Sequence, residues 1–299
     1  MNDTSPTSIV RPRWLTDTVW PYEVKTFAHG RGRIAYTDIG TGPTLLLVHS
    51  GTWSFIWRDL IARLAPAFRV VTLDPPAMGL SDTGDGAGIS QTSAAVSALV
   101  VGLDLRDLTL VLHDLGGPAG LEAARDWPTR VAALTAVNCF GWRPAGAGFR
   151  GMLHLVGGRV LRESDAWTGW LPALSSTRYG VGRHFSRADR ATYRRGFGRR
   201  GRRSFHDNMR SALDHDFAGV DEGLRAIAGR PILTIFGQRN DPLRFQPRWR
   251  AVGSNVEQIV IPRGYHFPMC DAPDTVAAAI TDWHNREVID RVERRCRAT

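Results

Sequence analysis

The sequence predicts an α/β doubly wound sheet, mostly parallel, interrupted by one mainly helical insertion. From about residue 24, short apolar runs alternate with amphipathic segments, the rhythm of strand–helix–strand units. Several of these runs are unbroken Val/Leu/Ile stretches, as expected of strands buried on both faces. The rhythm then breaks between about 142 and 225, in a span rich in Gly, Trp and Arg that lies between two strand-like runs. An insertion there would lie over the carboxyl ends of the strands, where open α/β sheets bind ligands.

In chain order, the strand candidates are 33–40 (RIAYTDIG), 44–50 (TLLLVHS), 69–75 (RVVTLDP), 108–114 (LTLVLHD), 131–138 (VAALTAVN), 231–237 (PILTIFG) and 256–262 (VEQIVIP). Helical patterns occupy 57–65, 91–103, 116–126 and 272–295. The organisation expected is a first part of the core (1–141), a cap (142–225) and a second part of the core (226–299).

A length of 299 residues with 43% hydrophobic residues is enough for one sizeable core. Lys+Arg at 38 against 29 Asp+Glu gives a net charge of +9, nearly all of it arginine because Lys25 is the only lysine. The run RRGFGRRGRR (194–203) lacks a zinc-finger pattern, an RNP-type aromatic motif or a basic helix joined to heptads. It therefore reads as a solvated face, and no nucleic-acid partner is expected. Cys139, Cys270 and Cys296 are odd in number and widely spaced, so neither a disulfide framework nor a metal site is expected. The N-terminus has no apolar signal core and no stretch is apolar enough to span a bilayer. The expectation is a cytoplasmic protein without a membrane partner.

Four motifs fall in order: VHSGTWSFIWR (48–58), LVLHDLGGPAG (110–120), LTIFGQRNDP (233–242) and IPRGYHFPMCDAPD (261–274). The second is a strand, a sharp corner and a helix, with Asp114 at the apex. A carboxylate there can attack a saturated carbon and become an ester of itself, whereas a serine would take an acyl group. An ordinary helix N-cap needs no Gly116-Gly117 pair and no downstream histidine motif.

Together the motifs resemble the α/β-hydrolase superfamily, in its haloalkane dehalogenase and epoxide hydrolase branch, over roughly residues 24–290. The resemblance implies an α/β-hydrolase fold with a mainly helical cap after the sixth strand. It assigns Asp114 as nucleophile, His266 as the base that activates water against the ester, and Asp241 as the acid that orients the imidazole. GQRNDP is one residue longer than the usual G-x-x-D spacing. The backbone N–H of Leu115, with one from Gly51 or Thr52, would form the oxyanion hole. His49 and His113 resemble positions that shape the loop and the elbow.

The chain departs from the pattern twice. Leu115 stands where both branches usually have Trp, and His49-Ser50-Gly51-Thr52 replaces the H-G-x-P loop. For a halide leaving group, Trp53, Asn138, Trp167 and Trp170 are the candidate donors; for an epoxide, Tyr179 or Tyr193 is the acid. The expectation is a haloalkane dehalogenase-like hydrolase. The alternatives are an epoxide hydrolase, or a drifted relative acting as a binding protein or biosynthetic enzyme. The mechanism needs no metal and no cofactor, only water and a small, apolar substrate.

Overall fold

The apolar runs become strands of one nine-stranded sheet: β1 (Thr7–Ser8), β2 (Lys25–His29), β3 (Gly32–Ile39), β4 (Thr44–Ser50), β5 (Arg69–Leu73), β6 (Leu108–Asp114), β7 (Val131–Val137), β8 (Ile232–Gly237) and β9 (Val256–Ile261). Their order is β1-β2-β3-β5-β4-β6-β7-β8-β9 in this computed structural model, which describes residues 7–82 and 87–289. Strands β4 to β9 run parallel, while β1 to β3 form an antiparallel edge. The edge strands β1 and β2 were not expected from the sequence, and with them the insertion follows the seventh strand instead of the sixth.

Successive side chains of a strand point to opposite faces, and here both faces are apolar. Leu46 and Val48 of β4 join the core on one side, while Leu45 and Leu47 join the core on the other. The helices are α1 (Arg58–Leu64), α2 (Ile89–Gly102), α3 (Gly116–Ala124), α4 (Ala147–Val156), α5 (Arg159–Thr168), α6 (Trp170–Ser175), α7 (Arg187–Arg195), α8 (Arg199–Asp214), α9 (Ala218–Ile227), α10 (Phe245–Trp249), α11 (Pro268–Asp271) and α12 (Pro273–His284). Apolar residues of α2, α3 and α9 fill the first core, and those of α1 and α12 the second. The helix expected over 272–295 is α12 followed by a wider turn at Asn285–Ile289. Its remainder, like Cys296, lies outside the described residues.

Helices α4, α6, α7 and α8 carry residues that line the cavity containing Asp114, but α9 packs on α3. A Cβ on Gly223 would sit 1.8 Å from the Leu121 carbonyl, so that contact is backbone against backbone. The span 142–225 therefore includes a helix, α9, that packs on α3. The arginine run is largely engaged within the chain: Arg203 pairs with Glu163, Arg200 with Asp82, Arg202 donates to the Ala166 carbonyl, and Arg199 stacks over Trp167.

The chain steps from β4 outward to β5, then returns past β4 to β6. This topological switch opens a crevice at the carboxyl ends of β4 and β6, where Ser50 lies opposite Asp114.

Candidate active site

Asp114 is the last residue of β6 and has φ 51°, a left-handed conformation that is costly for a side-chain-bearing residue outside a tight corner. The two glycines after it make the corner possible. A Cβ on Gly116 would lie 2.4 Å from the Val48 carbonyl oxygen, and one on Gly117 would lie 2.3 Å from that of Phe140. Helix α3 thus starts pressed between the ends of β4 and the loop after β7, and the carboxylate is left projecting into the crevice.

The Nε2 atom of His266 lies 3.8 Å from Asp114 Oδ2. Both side chains are partly exposed, 33% for His266 and 21% for Asp114. Burial pushes the Asp114 carboxyl up, but its interaction with His266 and the Leu115 N–H outweigh it. The carboxyl is held below its ordinary value, so it is an anion at neutral pH.

The backbone of His266 is pinned from two strands. The Asn138 Nδ2 donates to the carbonyls of Tyr265 and His266, each at 2.8 Å, and His113 Nε2 donates to the His266 carbonyl at 2.8 Å. Asn138 Oδ1 in turn accepts the Gly237 N–H at 3.0 Å. Every polar group of the Asn138 side chain is therefore spent on backbone, which corrects its reading as a leaving-group donor. Burial and the neighbouring His266 push His49 and His113 well below the ordinary histidine value, so both stay neutral.

The side chain facing Nδ1 of His266 is not the one expected. Asn240 Nδ2 lies 3.0 Å from His266 Nδ1. The Asp241 carboxylate instead accepts the N–H groups of Phe245 (2.6 Å) and Gln246 (3.0 Å), satisfying the start of α10. Asn240 stands three residues after Gly237, at the G-x-x-D spacing; that spacing, more than the acidic residue type, marks the position facing the imidazole.

In the loop after β4, the Thr52 N–H donates to His49 Nδ1 at 3.2 Å, so it is engaged, and of the two expected donors there Gly51 is left. The Gly51 φ of 90° turns the chain there, while the Leu115 N–H already bonds the Asp114 carboxylate. Asp74 fixes the next turn by accepting from the Ser54 N–H (2.8 Å) and the Leu80 N–H (2.8 Å).

A cavity of about 260 Å³ extends from Asp114 and His266 to residues of α4, α6, α7 and α8. Met152 of α4, Leu171 of α6, and Phe205 and Met209 of α8 make it largely apolar. None of these four stood out in the sequence, because their helices signal only that one face is buried. Tyr193 of α7 also lines the cavity, and its hydroxyl meets Thr52 Oγ1 at 3.3 Å and Ser175 Oγ at 3.2 Å. Burial pushes the phenol up to about 12, so it stays protonated and able to donate.

The other expected leaving-group residues lie elsewhere. The Trp53 indole N–H donates to the Tyr193 carbonyl at 3.0 Å, fastening the core loop to the cap. Trp167 is two-thirds exposed beneath Arg199, Trp170 packs on His206, and Tyr179 is exposed with its ring edge on Tyr265.

A family model described as "Alpha/beta hydrolase family" matches residues 45–279. Haloalkane dehalogenase 2 of Mycobacterium tuberculosis is 28% identical over 277 residues, covering 88% of this chain and 96% of its own. Among solved structures, epoxide hydrolase CorEH superposes with a TM-score of 0.74 at 22% identity, over 88% of this chain and 99% of that one. Haloalkane dehalogenase DbeA from Bradyrhizobium elkani superposes with a TM-score of 0.74 at 19% identity, over 87% and 96%. These two structural likenesses concern the fold.

Proposed function

The chain belongs to the alpha/beta hydrolase family, and from that premise we propose that it is a hydrolase working through an alkyl ester on Asp114. Asp114 attacks a saturated carbon, a C–O or C–halogen bond breaks, and the electron pair leaves with the departing atom. Water then adds to the ester carbonyl with His266 taking its proton; the acyl–oxygen bond breaks, the alcohol leaves and the carboxylate returns. The N–H groups of Leu115 and Gly51 are the candidate oxyanion donors for that second step. The single observation carrying this reading is an ionised carboxylate at a left-handed corner, 3.8 Å from an imidazole, at the floor of an apolar cavity.

Of the two leaving groups, an alkoxide suits the cavity better. An opening epoxide needs a proton, and Tyr193, a protonated phenol, lines the same cavity as Asp114. A halide needs indole or amide donors, and those of Trp53 and Asn138 are engaged with backbone. The substrate class is therefore a small, apolar epoxide. A second reading, haloalkane hydrolysis by the same two steps, is favoured by the match to a haloalkane dehalogenase along nearly that protein's whole length.

Single turnover in heavy-oxygen water separates the ester route from direct attack of water. The ester route places heavy oxygen in the Asp114 carboxylate, readable in its peptide; label found only in the product alcohol would exclude it.

A further inference from the structure

Resting on the alkyl-ester reading, we propose that Asn240 is the positioning residue of His266, and that its amide makes ester release the slow step of turnover. Three observations carry this. Asn240 occupies the spacing of the orienting acid and meets Nδ1 at 3.0 Å. Asp241, the adjacent carboxylate, is committed to the N–H groups of α10. Nε2, the opposite ring nitrogen, lies 3.8 Å from the Asp114 carboxylate.

The chemistry follows from what an amide can and cannot do. A carboxylate at this place only accepts, so it keeps a proton on Nδ1, leaves the Nε2 lone pair free for water, and stabilises the imidazolium that forms. An amide nitrogen can only donate, so with Asn240 Nδ2 at 3.0 Å it is Nδ1 that must accept. The ring proton then sits on Nε2, where it faces the Asp114 carboxylate and supports its negative charge. That tautomer keeps Asp114 an anion and leaves its attack on carbon available, but has no lone pair to take a proton from water. Release requires the amide to turn over, presenting Oδ1 to an Nδ1–H, and even then no negative charge sits behind the imidazolium. Alkylation is untouched and hydrolysis is impeded, so the alkylated Asp114 accumulates.

The test compares wild type, Asn240→Asp and His266→Phe, each mixed with styrene oxide and separately with bromohexane, by time-resolved intact mass. In wild type the adduct builds up and decays slowly. In Asn240→Asp it forms at a similar rate and decays at least tenfold faster, up to about 10⁴-fold, the scale of the reverse exchange in a catalytic triad. A structural role alone would change formation and decay together. Nitrogen NMR of His266 supplies a substrate-free readout, with the proton on Nε2 in wild type and on Nδ1 in Asn240→Asp. Unchanged or slower decay in a folded Asn240→Asp protein overturns the proposal. So does an adduct seen only in His266→Phe, or an Nδ1 proton already present in wild type. Absence of any adduct in all three proteins would instead remove the alkylation reading and with it the slow ester, while the tautomer still decides whether Asn240 positions His266.

Discussion

The elbow at the end of β6 and the loop after β8 serve the same imidazole, yet they hold their residues by different means. At the elbow, backbone oxygens of Val48 and Phe140 lie so close to Gly116 and Gly117 that no side chain fits, and the corner aims Asp114 with little choice. After β8, two neighbouring polar residues point opposite ways: Asn240 to His266, and Asp241 to the start of α10. A position fixed by backbone contact follows from the local motif. A position fixed by which of two adjacent side chains turns inward depends on partners far away in the chain.

The largest effect expected from breaking this comparison is at the elbow apex. Asp114→Asn removes the nucleophile while keeping its shape, so turnover should fall by about 10⁴-fold or more, as initial rates would register. Next is Tyr193→Phe, which keeps the ring but removes the proton donor. Epoxide turnover should drop by about 10²- to 10⁴-fold while bromoalkane turnover stays unchanged, so parallel assays test both the leaving group and the acid.

Gly117→Ala probes the elbow's backbone. Its new Cβ would crowd the Phe140 carbonyl, and denaturant unfolding should show a loss of about 1–3 kcal/mol. Asp241→Ala probes the other region: it should cost about 0.5–2 kcal/mol as a lost helix cap. Turnover should nonetheless change little, because the carboxylate meets α10 and not the imidazole. A large kinetic loss there would reverse the contrast between the two regions.

The smallest effect is in pH. The folded Asp114 carboxyl lies below its ordinary 3.8, so at that pH more than half of it remains ionised. Adduct formation should therefore fall by less than half in a brief pH jump to that value. The linked stability is present above the ordinary value and is lost as pH falls through the folded one.

What was legible in the sequence follows the same division. The parallel sheet, the corner at Asp114 and the histidine after β9 are local patterns: unbroken apolar runs, a glycine pair, a motif in fixed order. The short edge strand Lys25–His29 carries no such pattern. Trp53 and Asn138 have the right chemistry for donors, but both are spent on carbonyls distant in sequence, at Tyr193 and at Tyr265 and His266. Phe205 and Met209 reach the cavity only through the crossing of α8 over the strand ends. The acidic residue type singles out Asp241, one residue beyond the G-x-x-D spacing, whereas the side chain facing His266 Nδ1 is Asn240, which stands at that spacing.

The central claim is that Asp114 becomes an alkyl ester, and trapping it is the most direct measurement. His266→Phe should block release of the ester while leaving the attack intact. After incubation with an epoxide, the intact mass should rise by the whole epoxide, and with a bromoalkane by the alkyl group without bromine; peptide mapping should place both on Asp114. An adduct on any other residue, or product formed by His266→Phe at the wild-type rate, would contradict the account.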